Sequence, residues 1–538
     1  MRVFQIFILI FLAIFSSVYA TLTIQTEQPP IGKCGSDLLH DFNFEDYFSQ
    51  LQQTDPAAAA SLLQMANEMQ QFNKTAVVQR QFWAFNLKDK KFYRITATLR
   101  KQGANSRIWV EDSSWAKQYV TMAEVQTIYE YLEEHTGEKS IQPTAGIIEI
   151  DTLLFGTPPN KDGDGITDFL ILDIKDNYDP NKKGSSFVAG FFFPNDQKNV
   201  TTSNMMDLIY LDSYPGIFFN NNRSTDRVLS TTAHEFQHLI HYNYDKDEET
   251  WVNEGLSELS STYCGFGLDL PYLFLQNPNQ SLTKWGGEVK DYARVGLWSI
   301  YIAEQFGTEF IRRLTQTKAN GITGFNQALQ ETGNISLDFN DVFTNWVLAN
   351  YINDTRVDSR YGYQLADARG LKASPTAVIL QYPDEREGIV QKHAAQYFQF
   401  KGADTLKINF EGIPPQLYFI HRSVENVSVQ PLLPGTFIYS DFNAREEFIL
   451  VLINQAPDKQ FKFNAYAPFS VEFFELGYGD NQMDFSIRLS GIGANKFTTN
   501  RSDLKLIGTK IFNVQSNTPV KIHVYEPDNS GLPGAEMV

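Results

Sequence analysis

Cysteine is nearly absent from this chain, with two residues, Cys34 and Cys264, in 538. At most one internal disulfide can form. Basic residues are in deficit, 45 Lys and Arg against 63 Asp and Glu, for a net charge of -18 and a pI near 5.0. That acidity argues against nucleic acid or an anionic membrane as partner, and it names no substrate. Long apolar runs are missing beyond the first twenty residues, so no later segment is expected to cross a membrane. A P-loop, a dinucleotide fingerprint, a GxSxG elbow and any long repeat are missing too. What is present is ordinary folded protein, 42% hydrophobic and rich in aromatics at 14%. At this length two or three domains are expected. Nothing in the sequence sets an oligomeric state.

Residues 1–20, MRVFQIFILIFLAIFSSVYA, carry one arginine, an apolar run and small residues ending in Val18, Tyr19 and Ala20. This is the pattern of a secretory signal peptide. A retained anchor is the competing reading, although the run is short for a span. The last residues, GLPGAEMV, lack an anchor-signal tail. The expectation is a soluble, secreted mature protein. Eight N-x-S/T sequons agree with that compartment and point to a glycoprotein: Asn73, Asn199, Asn222, Asn279, Asn334, Asn353, Asn426 and Asn500.

The densest chemistry lies at 233–258, AHEFQHLIHYNYDKDEETWVNEGLSE, where three of the eight histidines (His234, His238 and His241) cluster. On a helix, His234 and His238 share one face about one turn apart. With Glu235 they form HExxH: two metal-binding imidazoles and a glutamate that takes a proton from a metal-activated water. A catalytic zinc takes three protein ligands and keeps one position open. His241 falls in the same stripe, but three ligands along one straight helix spread over about 10 Å and cannot close on one ion. A histidine at the end of HExxHxxGxxH is ruled out, because that position is Tyr244 and the glycine position is His241. Glu254 offers the best geometry. A loop rich in Asn, Asp and Lys precedes it, and a second helix starting near Trp251 would bring it back over the first. Glu258, one turn further, is placed to accept a hydrogen bond from the far nitrogen of a ligand histidine.

These residues resemble the gluzincin metallopeptidases, in which HExxH is followed by a glutamate ligand on the next helix. The phrase HEFQHLIHY…ETWVNEGLSE, with Asn253, Glu254, Ser257 and Glu258 in an N-E-x-x-S-E pattern, is more similar to hyicolysin-type secreted metallopeptidases than to thermolysin. The resemblance runs over about 82–363 and includes DLIYLDSYPG and RYGY. It implies a zinc ion on His234, His238 and Glu254, Glu235 as general base, and a protein or peptide substrate cleaved by endopeptidase action. It also implies a tyrosine or histidine at the oxyanion. Tyr292 in DYARVG is the candidate, with a merely packed tyrosine as the plain alternative. One rival function is a carbohydrate- or surface-binding secreted protein with a structural or inactive metal site; the intact Glu235 counts against it. An aminopeptidase is the second rival, and its GxMEN stretch is missing.

Two features stay open at this level. Cys34 and Cys264 either form one disulfide tying the N-terminal segment to the catalytic helices, or Cys34, in GKCGSD, ligates the zinc of a latent enzyme. The second reading resembles the cysteine switch of matrix metalloproteinases through its Cys-Gly pair alone. NKDGDGITD at 160–168 offers oxygens from Asn160, Asp162, Asp164 and Asp168 that could wrap a calcium ion. It is not an EF-hand, since its twelfth position is Ile171, and a polar turn between strands explains the same letters.

Residues 21–75 contain one clear helix, over 56–72, and read as a propeptide or an N-terminal cap. QFWAFNL, FYRITATLR and RIWVED predict an antiparallel meander. A helix over 122–135 follows, then four strands: GIIEIDTLLF, DFLILDI, SFVAGFFF and DLIYLD. A sheet followed by two metal-bearing helices suits an α+β fold with a zincin-like catalytic domain over 76–371. Its lower, helical half is expected from DYARVGLWSIYIAEQFG onward, with Gly307 closing that helix. From 372 to 538, alternating strands and turns predict one or two β-sandwich modules. His393, His421 and His523 lie there without metal-ligand spacing.

Overall fold

The computed structural model describes residues 32–75, 78–182, 184–402, 404–412, 414–443 and 446–467, together with the backbone of four further strands up to residue 536. Residues 1–20, expected to be a leader, the sequon at Asn500 and His523 lie outside the described residues. The architecture mixes helix and sheet, α+β. One unit comprises residues up to Thr376 with Ile389–Tyr397 and Leu452–Lys459; the other comprises Ala377–Gly388, Phe398–Val451 and the residues from Gln460 on.

The first unit is built on seven strands: β1 (Gly32–Cys34), β2 (Gln79–Asn86), β3 (Lys91–Gln102), β4 (Ser106–Glu111), β5 (Thr167–Leu172), β6 (Phe187–Phe192) and β7 (Leu208–Asp212), in the order β1-β6-β7-β5-β4-β3-β2. β2, β3 and β4 form the expected antiparallel meander. β4, β5 and β7 run parallel, β6 is antiparallel to β7, and β1 joins the edge of β6 in parallel. β5, β6 and β7 are buried at every position, which is why their sequences read as unbroken apolar runs instead of alternating ones.

GIIEIDTLLF departs from expectation: it is a helix, Ile147–Leu154, and not a strand. Its buried residues Ile147, Ile150, Asp151 and Leu154 recur at helical spacing. Gly146 precedes it, where a Cβ would stand 2.3 Å from the carbonyl oxygen of Leu132. A short apolar run suits either element until its neighbours are known.

The N-terminal helices Phe44–Thr54 and Pro56–Thr75 lead into β2. Leu39, Phe44, Leu62 and Met69 belong to the same buried cluster as Phe82, Phe92, Phe191 and Phe193. Burying each such side chain stabilises by about 1.5–3 kcal/mol. Residues 44–75 are therefore part of this unit's core.

Three helices carry the site: α1 (Asp226–Tyr244), α2 (Thr250–Ser261) and α3 (Val289–Gln316). α1 lies close over β6 at Gly190, where an added Cβ would stand 2.6 Å from Thr231. Its Phe236 reaches Phe169 of β5, with ring centroids 6.4 Å apart. α3 is interrupted at Gly307, whose φ of 79° breaks the helical geometry there, before a second stretch carries on. Helices Gly321–Glu331 and Phe339–Ile352 follow, the latter begun by a capping box between Asp338 and Asp341.

The described strands between Ala377 and Tyr466 form two sheets. Five strands pair in the order Ala377–Ile379, Ala394–Phe400, Glu447–Asn454, Gln416–Arg422, Val427–Leu432, and four in the order Asp384–Val390, Lys459–Tyr466, Asp404–Glu411, Thr436–Phe442. Phe419 meets Phe437 (4.6 Å between centroids) and Phe448 meets Phe442 (4.9 Å) across the two sheets. Two sequons are engaged in packing. The Asn353 amide donates to the carbonyls of Ala368 and Leu371, and that of Asn73 to the carbonyl of Gln81. A glycan on either nitrogen would displace those bonds. Among the described residues no helix is long and apolar enough to cross a membrane.

Candidate metal centre

The helical spacing of HExxH places His234 and His238 side by side on the buried face of α1, ring centroids 4.9 Å apart. The chain then turns at Asp245–Glu249, and α2 returns antiparallel with Glu254 buried against both rings. Glu254 Oε2 is 3.1 Å from His234 Nε2, and Oε1 is 3.6 Å from His238 Nε2. The far nitrogens are held as well. Glu258 Oε1 lies 3.2 Å from His234 Nδ1, and the Asn253 side-chain oxygen lies 2.9 Å from His238 Nδ1. If both Nδ1 atoms donate to these oxygens, each Nε2 keeps its lone pair for the space beside Glu254. Burial raises the Glu254 pKa, but His238 and His234 outweigh it and carry it down to about 2, so this carboxylate is ionised.

A fourth donor stands in the same space. Cys34, at the end of β1, has its sulfur 3.5 Å from His238 Nε2. One ligand atom each from Cys34, His234, His238 and Glu254 lies within 4.8 Å of the others. Two residues on, the Ser36 hydroxyl donates to Glu235 Oε2 at 2.7 Å. The Phe192 N–H donates to the same oxygen at 3.1 Å, while Glu235 Oε1 is buried without a partner among the described residues. Imidazole, carboxylate and thiol donors suit a zinc-class ion, so the residues present fit the metal that HExxH calls for.

The disulfide expectation is corrected. Cys34 and Cys264 are both free and buried. Each sulfur has its own polar neighbour: His238 for Cys34 and, at 3.9 Å, Asp151 for Cys264. The 160–168 turn already has its cation. The Arg107 guanidinium on β4 meets Asp164 and Asp168 at 2.7 Å and Asp162 at 3.7 Å, and Asn160 accepts from the Gly165 N–H. The arginine supplies the positive charge that calcium would bring. Tyr292 on α3 is buried, its ring 6.3 Å from that of His234 and edge-on to Trp285. Burial pushes its hydroxyl pKa well up, so it stays a donor. His241 does not join the pair; burial, then His238, push its pKa down to about 3 and keep it neutral.

Sequence reasoning misses Asn253 and Ser36. Asn253 stands inside the quoted motif, but its hold on His238 depends on how α2 crosses α1. We expect Asn253→Ala to weaken zinc binding by about 10–100-fold, measured by competition with a chromogenic chelator. Parent affinity in that variant would remove Asn253 from the site.

A helix bearing paired imidazoles and a neighbouring helix returning a carboxylate are the donor arrangement of a metal-dependent hydrolase. No family model matches the chain. Over 292 residues, 50% of this chain, it is 27% identical to the neutral metalloprotease ShpI of Staphylococcus hyicus, covering 62% of that protein. The match thus spans less than two thirds of that relative's length, and it supports a metalloprotease at the level of class. Two solved structures of PliG, a periplasmic inhibitor of g-type lysozyme, also align. The Salmonella Typhimurium protein covers 17% of this chain and 98% of its own at 11% identity and a TM-score of 0.14. The Aeromonas hydrophila protein covers 17% and 94% at 12% identity and a TM-score of 0.14. Scores this low carry no argument.

Proposed function

We propose that this chain is a secreted zinc-dependent endopeptidase, gluzincin in type and hyicolysin-like, built on a zincin-like α+β domain. One observation carries the reading: His234, His238 and Glu254 converge from two helices, with Glu235 between the imidazoles in sequence and buried beside them. A zinc ion bound by those three side chains would supply Lewis acidity to the attacking water and the scissile carbonyl. Glu235 takes the proton of that water and returns it to the leaving amine. Glu258 and Asn253 keep the two imidazoles in orientation. Tyr292 donates its hydroxyl hydrogen to the oxyanion that forms on the peptide carbonyl. The leader directs the protein outside the cell, where peptides and proteins are its substrates.

The N-terminal stretch regulates this site. Cys34 would serve as a fourth ligand to a bound ion, in the place a water needs, and the Ser36 hydroxyl donates to the base. Cys34 ends a short edge strand and Ser36 begins the one-turn helix Ser36–Leu39, ahead of Phe42, whose ring packs on Phe85 and Phe193. Displacing 32–38 would open the site and leave Leu39 and the helices at 44–75 in the core.

The test uses the Cys34→Ala protein, so that latency does not mask the outcome. Casein hydrolysis stops on chelation and returns with added zinc. A zinc-loaded protein that never cleaves would instead favour a surface-binding role for the β unit.

A further inference from the structure

The third histidine of the motif belongs to a different cluster. His241 on the last turn of α1, Asp245 just after it and Glu248 in the loop before α2 are 0%, 3% and 2% exposed. One ligand atom from each lies within 4.8 Å of the others. Each also has a buried polar atom without a hydrogen-bond partner among the described residues: His241 Nε2, Asp245 Oδ2 and Glu248 Oε2. Two buried carboxylates with no paired cation are costly, and a neutral imidazole does not offset them. Lys318 exerts a Coulombic pull on Asp245 but forms no ion pair with it among the described residues. We propose that His241, Asp245 and Glu248 bind a second divalent ion of the zinc class, separate from the HExxH centre.

The chemistry selects the ion. Two carboxylates balance a divalent charge. The imidazole argues against calcium, which takes oxygen ligands, and for zinc, which accepts nitrogen and carboxylate oxygen at about 2.0–2.2 Å. The supports are in place. Glu248 Oε1 accepts from the Glu249 N–H at 2.5 Å and the Gly321 N–H at 2.7 Å, which fixes the carboxylate and leaves Oε2 free. His241 Nδ1 faces the Gln237 amide at 3.4 Å. Here the amide nitrogen faces the ring, and the amide oxygen accepts from the Ser257 hydroxyl at 2.5 Å. Binding the ion requires the amide to turn over, so that Ser257 accepts from its NH2, Nδ1–H donates to its oxygen and Nε2 presents a lone pair to the ion. The ion would pin the end of α1 to the loop leading into α2, and through Gly321 to the helix Gly321–Glu331. It would thereby hold the two ligand-bearing helices at their spacing. The proposal does not rest on the peptidase reading.

Zinc analysis of the full chain, loaded with zinc and desalted, is expected to give two ions per chain. His238→Ala keeps one, Glu248→Gln keeps one, and the double variant keeps none. One ion in the parent and none in His238→Ala overturns the proposal, whatever the protein hydrolyses. Should Glu248→Gln fail to fold, anomalous scattering at the zinc edge from crystals of the unaltered chain decides. A peak between His241 and Glu248 supports the site. A peak at His234 and His238 alone overturns it.

Discussion

Glu235→Gln, made in the Cys34→Ala protein, is expected to keep its zinc and lose casein hydrolysis by about 10²–10⁴-fold, the range of a positioned acid–base group. The amide is nearly isosteric, and its oxygen can still accept from the Phe192 N–H that now reaches Glu235 Oε2 at 3.1 Å. The change therefore leaves the packing of α1 against β6 alone. It removes a single capability, taking a proton from the attacking water. Zinc content should not move, because Glu235 is outside the group of atoms that could hold the ion. Hydrolysis at the parent rate with zinc bound would assign the base elsewhere. Loss of zinc together with activity would make Glu235 a structural support.

Cys34→Ala is expected to raise the activity of the full-length protein by about 100-fold, if the thiol holds the parent about 99:1 in the closed form. The physical basis is competition for one position. The sulfur stands 3.5 Å from His238 Nε2 among the atoms that would ligate the ion, and Ser36 holds Glu235 at 2.7 Å. β1 has three residues, so little core is disturbed. Thiol chemistry reads the same contact without any substrate. In zinc-loaded protein Cys34 should react with a thiol reagent more slowly than after chelation, although burial keeps the freed thiol slow as well. Equal activity in the two proteins, with a thiol as reactive before chelation as after, would end the latency reading. Adding Ser36→Ala to Cys34→Ala should raise activity further by freeing the base.

The fold and the site were legible to different depths. His234, Glu235, His238, Glu254 and Glu258 could be named in advance because their relation is local. Helical spacing aligns the imidazoles, and one short polar loop returns the carboxylate. The meander and the apolar runs of β5, β6 and β7 are also readable, since a strand buried on both faces has a simple composition. The helix at Ile147–Leu154 is not, because eight mostly apolar residues fit either period until the sheet they pack beside is known.

Sequence by itself determined a helix pair carrying two imidazoles and a carboxylate, an acidic chain and an α+β order of elements, because each follows from spacing or composition within a few turns. Only the tertiary structure decided that Cys34 lies at that centre and away from Cys264. The parallel pairing of β1 with β6 carries residue 34 across 204 positions to His238. It also decided that Arg107 fills the acidic turn and that His241 turns to Asp245 and Glu248. Such contacts depend on which strands and helices become neighbours, and burial settles that over the whole unit at once.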